Sequence, residues 1–145
     1  MELKNGQTIQ IHLETQVLQN NERAEFVFDM SGQLVKMGNT LYIRYKEKNQ
    51  EQPGEIPVTI KIEPGERIQI MRGQGLHTRL KFVFEKRVPM SYATDYGIFT
   101  IESYTPYLHF SLKDRPLSGS LELDYELFLK EEKMGDYQMR LSFHS

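Results

Sequence analysis

The segment Leu121-Glu122-Leu123-Asp124-Tyr125-Glu126-Leu127-Phe128-Leu129-Lys130 is apolar at every odd position and, Phe128 apart, polar at every even one. A period of two sets one face of a β-strand against a core and the other against water. Wound as a helix, the same residues would scatter their apolar groups around its circumference. The pattern recurs along the chain: Ile9, Ile11, Leu13 and Val17; Phe26, Phe28 and Met30; Leu41, Ile43 and Tyr45; Ile56, Val58, Ile60 and Ile62. It continues in Ile68 and Ile70; in Leu80, Phe82 and Phe84; in Leu108, Phe110 and Leu112; and in Met139, Leu141 and Phe143. Strands with one wet face suit antiparallel pairing. Composition agrees. Alanine, the residue that helices favour most, occurs only twice, at Ala24 and Ala93, whereas Val, Ile and Thr number 24 and Phe and Tyr 16. The chain is expected to be all-β.

Turn residues separate the runs. Asn20-Asn21 divides the first two, and Gly38-Asn39 reads as a two-residue hairpin loop between 34–37 and 40–45. Glu63-Pro64-Gly65-Glu66 has Pro and Gly where a type II turn needs them. Gly73-Gln74-Gly75, Val88-Pro89, Asp114-Arg115-Pro116, Ser118-Gly119 and Met134-Gly135-Asp136 are read as further reversals, and 46–55 as a polar loop. Gly32, inside a long strand, predicts a bulge or sharp bend, and Gly97 reads similarly. Nine or ten strands in series make a meander. Its single apolar face is buried most simply by closing into an antiparallel up-and-down barrel, which also removes exposed edges.

At 145 residues the chain reads as one domain over 1–145, large enough to form a core without staples. Cysteine is absent, which excludes disulfides, thiolate metal sites and cysteine nucleophiles. No apolar run is long enough to span a membrane as a helix, and no signal-peptide pattern opens the sequence. A formal charge of −2 gives no electrostatic reason to expect nucleic acid or a membrane as partner.

One set of segments resembles a known family. Residues 32–39, Gly-Gln-Leu-Val-Lys-Met-Gly-Asn, lead into Leu41-Tyr42-Ile43-Arg44-Tyr45-Lys46-Glu47; then come Ile70-Met71-Arg72-Gly73 and Tyr92-Ala93-Thr94-Asp95-Tyr96-Gly97. Thr105-Pro106-Tyr107-Leu108 and Leu123-Asp124-Tyr125-Glu126-Leu127 follow. In order and spacing these resemble the YwiB-like family of uncharacterised bacterial proteins with a calycin (lipocalin-like) β-barrel, over nearly the whole chain. The resemblance implies a barrel of about eight to ten strands in a cytoplasmic protein. It brings no established activity, cofactor or catalytic residue.

Motifs for chemistry are sparse. His12, His77, His109 and His144 have no metal-ligand spacing and are expected at the surface, so no metal is implied. There is no nucleophile elbow, Walker loop or dinucleotide fingerprint. Glu122, Asp124 and Glu126 alternate with core residues and are expected to face water. His77, Arg79, Lys81 and Arg87 share one outer face, but Val83 and Glu85 interrupt it, as in an ordinary charged wall.

Parity singles out two charges. Arg72 continues the inward series Ile68, Ile70, and Glu47 continues Leu41, Ile43, Tyr45. Both fall at strand ends. Either they reach water, or they pair internally, or they form the polar anchor of a barrel mouth; Tyr45, Tyr92, Thr94 and Tyr125 would add hydroxyls to the same interior. If Arg72 were buried, loss of Glu47 alone would cost about 3–5 kcal/mol.

Three functions compete. The first is binding of a small apolar or anionic molecule in the barrel, with Arg72, Glu47, Tyr45, Tyr92, Thr94 and Tyr125 as ligand-binding residues and no cofactor. The second is an enzyme with Glu47 as acid or base. The third is a structural or interaction module whose barrel is filled by its own side chains, monomeric or homodimeric, with an outer patch of Val27, Val83 and Phe128.

Overall fold

In the computed structural model, which describes residues 6–48, 54–73, 78–94 and 96–145 (the backbone alone for 92–94), the alternating runs form strands. They are β1 Gln7–Gln19, β2 Glu22–Met37, β3 Thr40–Lys48, β4 Glu55–Glu63, β5 Arg67–Arg72, β6 Thr78–Val83, β7 Arg87–Thr94, β8 Gly97–Asp114, β9 Leu117–Leu129 and β10 Glu132–His144. All ten belong to one antiparallel sheet in the order β6-β5-β4-β3-β2-β1-β10-β9-β8-β7. The first and last strands pair from Gln10↔His144 to Leu18↔Asp136, so two meanders meet at the chain ends and curl towards each other. The result is a nearly closed barrel, with its seam between β6 and β7.

The inward series is buried as the periodicity requires. Ile9, Leu34, Ile43, Ile60, Phe82, Leu121 and Leu123 are each 0% exposed. Leu127 is buried, and Tyr125 and Leu129 are half-buried. Glu122, Asp124 and Glu126 take the outer face but are not simply solvated. Arg140 lies 2.8 Å from Asp124 and 3.6 Å from Glu122, and Lys133 lies 2.9 Å from Glu126.

Several reversals fall elsewhere than the turn residues suggest. The β9–β10 turn is Lys130-Glu131, both at positive φ (50° and 69°), while Gly135 sits at a bulge within β10. Pro89 lies within β7, paired to Glu102; β7 is an edge strand, where a missing N–H is harmless. Gly119 lies within β9, where a Cβ would meet the Phe143 ring at 2.5 Å: the glycine serves close packing, not a turn. The register also runs through Gly32 without a bulge. A Cβ there would meet the Arg44 carbonyl oxygen and Ile11 Cδ1, each at 2.6 Å, so close approach selects the glycine. Gly97 opens β8 at φ 123°, beside the turn that joins β7 to β8.

The bulge in β8 is the largest departure. Tyr104 pairs with Glu126 and Tyr107 with Asp124, leaving one extra residue in β8. Parity inverts there. Before the bulge Ile101, Ser103 and Thr105 are buried; after it Leu108, Phe110 and Leu112 pack on the core. Two polar residues thus face inward, and they serve the seam. Ser103 Oγ donates to the Lys81 carbonyl at 2.6 Å, the Lys81 N–H meets Met90 Sδ at 3.3 Å, and the Glu85 N–H donates to the Thr105 carbonyl at 2.8 Å. Side chains do there what a strand ladder does elsewhere.

Leu123 has no exposed surface and borders Leu108 and Met139 on the neighbouring strands. Leu123→Ala is expected to lower unfolding free energy by about 2–5 kcal/mol in urea denaturation, with the native fold retained by circular dichroism.

Candidate functional site

Strand lengths set the geometry of the open end. β2 pairs with β1 from Glu22 onward, but with β3 only between Gly32↔Tyr45 and Met37↔Thr40. Beyond Tyr45, β3 stays with β4 as far as Lys48↔Glu55. The wall therefore splits at Gly32. The split is an open cleft of about 910 Å³, with Phe28, Met30, Tyr45, Glu47 and Val58 on its inner side and Asp29, Arg44, Lys46, Lys48 and Glu55 among its rim. A smaller cleft of about 330 Å³ lies at the other end of β4, between the β4–β5 turn and β8. Between the two, the barrel is filled by packed side chains.

Gly32, Tyr45, Val58 and Arg72 form one row across β2, β3, β4 and β5. Glu47 stands one inward step above Tyr45. The Arg72 guanidinium donates through Nη2 to Glu47 Oε2. Glu47 is largely shielded, with 19% of its side chain exposed, whereas Arg72 keeps 45%. The pair caps Tyr45, whose phenol is pushed well above its ordinary pKa, first by burial and then by the Glu47 charge, with Arg72 opposing. The hydroxyl is a neutral donor and acceptor at the base of the cleft.

The other anticipated site residues divide. Tyr125 is half-buried and not part of the cleft lining, its ring 4.4 Å from that of Phe82 and stacked 4.9 Å from that of Tyr137. Tyr92 and Thr94 are on β7, opposite Phe99 and Gly97, and their side chains lie outside the described residues, as does His77. Val27, Val83 and Phe128 do not form a patch. They sit on β2, β6 and β9, none of which neighbours another, and Phe128 lies under the Arg87 guanidinium at 4.2 Å. Parity says which face a residue takes, not which strands are neighbours.

Phe28 and Met30 read as core in the sequence, yet they line the cleft. A signal for this exists. A two-residue loop at Gly38-Asn39 pairs Met37 with Thr40 and fixes the register of the whole hairpin. A β3 that ends near Lys48 cannot reach β2 residues before Asp29.

On the outer face, His12 bridges two carboxylates: Nδ1 lies 2.7 Å from Asp29 Oδ1 and Nε2 lies 3.2 Å from Glu14 Oε1. Among the described residues no cluster of three or more His, Cys, Asp or Glu could hold a metal.

An antiparallel ten-stranded barrel, filled at its centre and split at one mouth, defines a small all-β barrel protein with a cleft in its wall. Residues 11–141 match the family described as "Domain of unknown function (DUF1934)", and the chain belongs to that family. Among solved structures, the ywiB protein from Bacillus subtilis superposes with a TM-score of 0.81 at 16% identity, covering 98% of this chain and 94% of that one. The fold is shared. A protein of unknown function from Bacteroides ovatus matches at a TM-score of 0.39 and 9% identity, covering 97% of this chain and 41% of its own. Comparison with curated proteins gives no match.

Two outcomes follow from the charges. Because Arg72 reaches water, Glu47→Gln is expected to cost less than about 1 kcal/mol in urea denaturation, not the 3–5 kcal/mol of a stranded buried charge. Asp29 first and then Glu14 raise the His12 pKa above its ordinary 6.5. The imidazolium is therefore favoured in the folded chain. Its contribution to stability is fully present below the unfolded value and is lost as pH rises through the raised folded value. An NMR titration should place the His12 midpoint above 6.5, falling back towards it in Asp29→Asn.

Proposed function

We propose that the protein binds a small, largely apolar molecule in the cleft between β2 and β3, with one polar or anionic group of the ligand meeting the Glu47–Arg72 pair. The observation that carries this reading is the combination of an apolar inner wall (Phe28, Met30, Tyr45, Val58) with a carboxylate in the lining, Glu47, that holds the Arg72 guanidinium beside the cleft. Such pockets are mostly apolar, with a few placed polar groups that fix orientation. Arg72 has one nitrogen on Glu47 and keeps further donors in its planar fork, which suits a carboxylate or a sulfonate. Tyr45 supplies a neutral hydroxyl. Tyr92 and Thr94, at the end of β7, are further candidates. Tyr125, packed among rings, would act through the shape of the wall. Glu47 is taken up by Arg72, which favours binding over proton transfer by that carboxylate. The ligand would be met in the cytoplasm, the compartment the family resemblance implies; no helix among the described residues is long and apolar enough to cross a membrane.

A filled barrel centre favours a second reading, an interaction module, because a hollow calyx would leave that space to a ligand.

The first reading is tested with 8-anilinonaphthalene-1-sulfonate, an apolar fluorophore carrying one anionic group. The folded protein is expected to bind it saturably. Arg72→Gln should weaken binding about tenfold or more, the scale of one charge-assisted hydrogen bond. Glu47→Gln should tighten it by freeing the fork. Absence of saturable binding, or equal affinity in Arg72→Gln, overturns the proposal.

A further inference from the structure

The other side of the split is the edge of β2. From Glu22 to Ser31 this strand has β1 on one side and, among the described residues, no strand on the other. Both flanking hairpins have two-residue loops, closing at Gln19↔Glu22 and Met37↔Thr40. In such hairpins the pair that closes the loop is hydrogen-bonded, and bonded pairs alternate along the ladder. Both hairpins give the same phase. Even-numbered residues of β2 bond to β1, and odd-numbered ones point their N–H and C=O away from it. The backbone groups of Arg23, Glu25, Val27, Asp29 and Ser31 thus face the gap. Residues 22–29 are all exposed, including Phe26 at 49%, Val27 at 59% and Phe28 at 39%. The Phe26 and Phe28 rings stack on the inner face with centroids 6.5 Å apart. Residues 22–31 contain no proline and no lysine, and the β1–β2 ladder has no bulge: of the usual guards of an edge strand only charge is present, at Glu22, Arg23, Glu25 and Asp29.

We propose that this edge pairs with the same edge of a second copy, in an antiparallel two-fold register centred on Phe26. Charge selects the register. Centred on Phe26, Arg23 of each copy faces Asp29 of the other, while Phe26 faces Phe26 and Ala24 faces Phe28. Centred one residue later, Glu25 faces Asp29; centred one residue earlier, Glu25 faces Glu25. Like charges directly opposite are destabilising. A register centred on Ala24 also matches charges, Arg23 against Glu25, but leaves Val27 and Phe28 uncovered. Arg23 forms no ion pair among the described residues, and the Asp29 side chain stays 75% exposed although one oxygen is on His12. Both partners are available. The two-fold axis preserves the faces of the sheet, so the two Phe26–Phe28 stacks merge into one apolar cluster. The partner strand runs beside residues 22–30. Its residues 22–25 lie beside Val27–Met30 in the cleft wall, and its Asn20-Asn21 turn comes beside Ser31 and Gly32, where the wall splits.

The chain has no cysteine, so one introduced thiol reports the register. At a non-hydrogen-bonded antiparallel pair the Cα atoms lie about 4.5 Å apart, within disulfide range. Phe26→Cys is expected to oxidise to a covalent dimer well before Phe28→Cys, which faces Ala24 and not itself. Sedimentation of the native protein should show a monomer–dimer equilibrium. Arg23→Asp and Asp29→Arg should each raise the dimer Kd about tenfold or more, since each change affects both symmetry-related pairs, and the double exchange should restore it. A native protein that stays monomeric at about 100 μM, a Phe26→Cys that links no faster than Phe28→Cys, or a double exchange that fails to recover dimerisation overturns the proposal. The charge exchange decides the matter even where a cysteine variant folds poorly.

Discussion

The pairing of β1 with β10 is the constraint on which the rest of the molecule depends. It joins residues from opposite ends of the chain, Ile11 with Phe143 and Leu13 with Leu141, all buried at 3% exposure or less. Closing so long a loop is entropically costly, and its contacts stabilise the fold only once both ends are in place. With that ladder formed, each half of the chain grows outward as local hairpins: β2 to β6 on one side, β9 to β7 on the other. The barrel's discontinuity must then fall in the middle of the sequence, at β6 and β7, and not at the termini.

The seam and the split are two answers to missing backbone pairing. At the seam, the β8 bulge turns Ser103 and Thr105 inward, and Ser103, Met90 and the bond from the Glu85 N–H to the Thr105 carbonyl tie the walls together. The Thr105 hydroxyl is buried at the seam with no hydrogen-bond partner among the described residues. At the split between β2 and β3 the described residues supply no such device. The wall opens to solvent and the inner aromatic residues of β2 are exposed.

Electrostatics at the mouth follow from this openness. Glu47 and Arg72 form the kind of pair that contributes little to folding, because the guanidinium remains half in water and exchanges solvent for carboxylate at small net gain. Tyr45 below them is different. It is buried, and its neutrality is enforced by that burial and by the adjacent carboxylate. A charged, adaptable rim over a fixed apolar base is suited to recognition more than to stability.

Much of this was legible in the residues. Period-two alternation identified the strands and the faces of Leu121, Leu123 and Leu127, because burial on one face of a pleat acts on every second side chain. The same rule brought Tyr45, Glu47 and Arg72 to one end of the interior, and the Gly38-Asn39 loop fixed the register of its hairpin. Other features depend on distant neighbours. Gly32 and Gly119 are dictated by atoms across the sheet, so each looked like a bend or a turn from its own segment. The β8 bulge inverts parity through its pairing with β9, and Ser103 gains its inward role only because Lys81 lies across the seam. Sequence alone determined which residues turn inward along each strand, since alternation is local. Which strands meet, where the wall closes and where it stays open were decided by the tertiary structure, because a ladder's end depends on the length of the strand beside it.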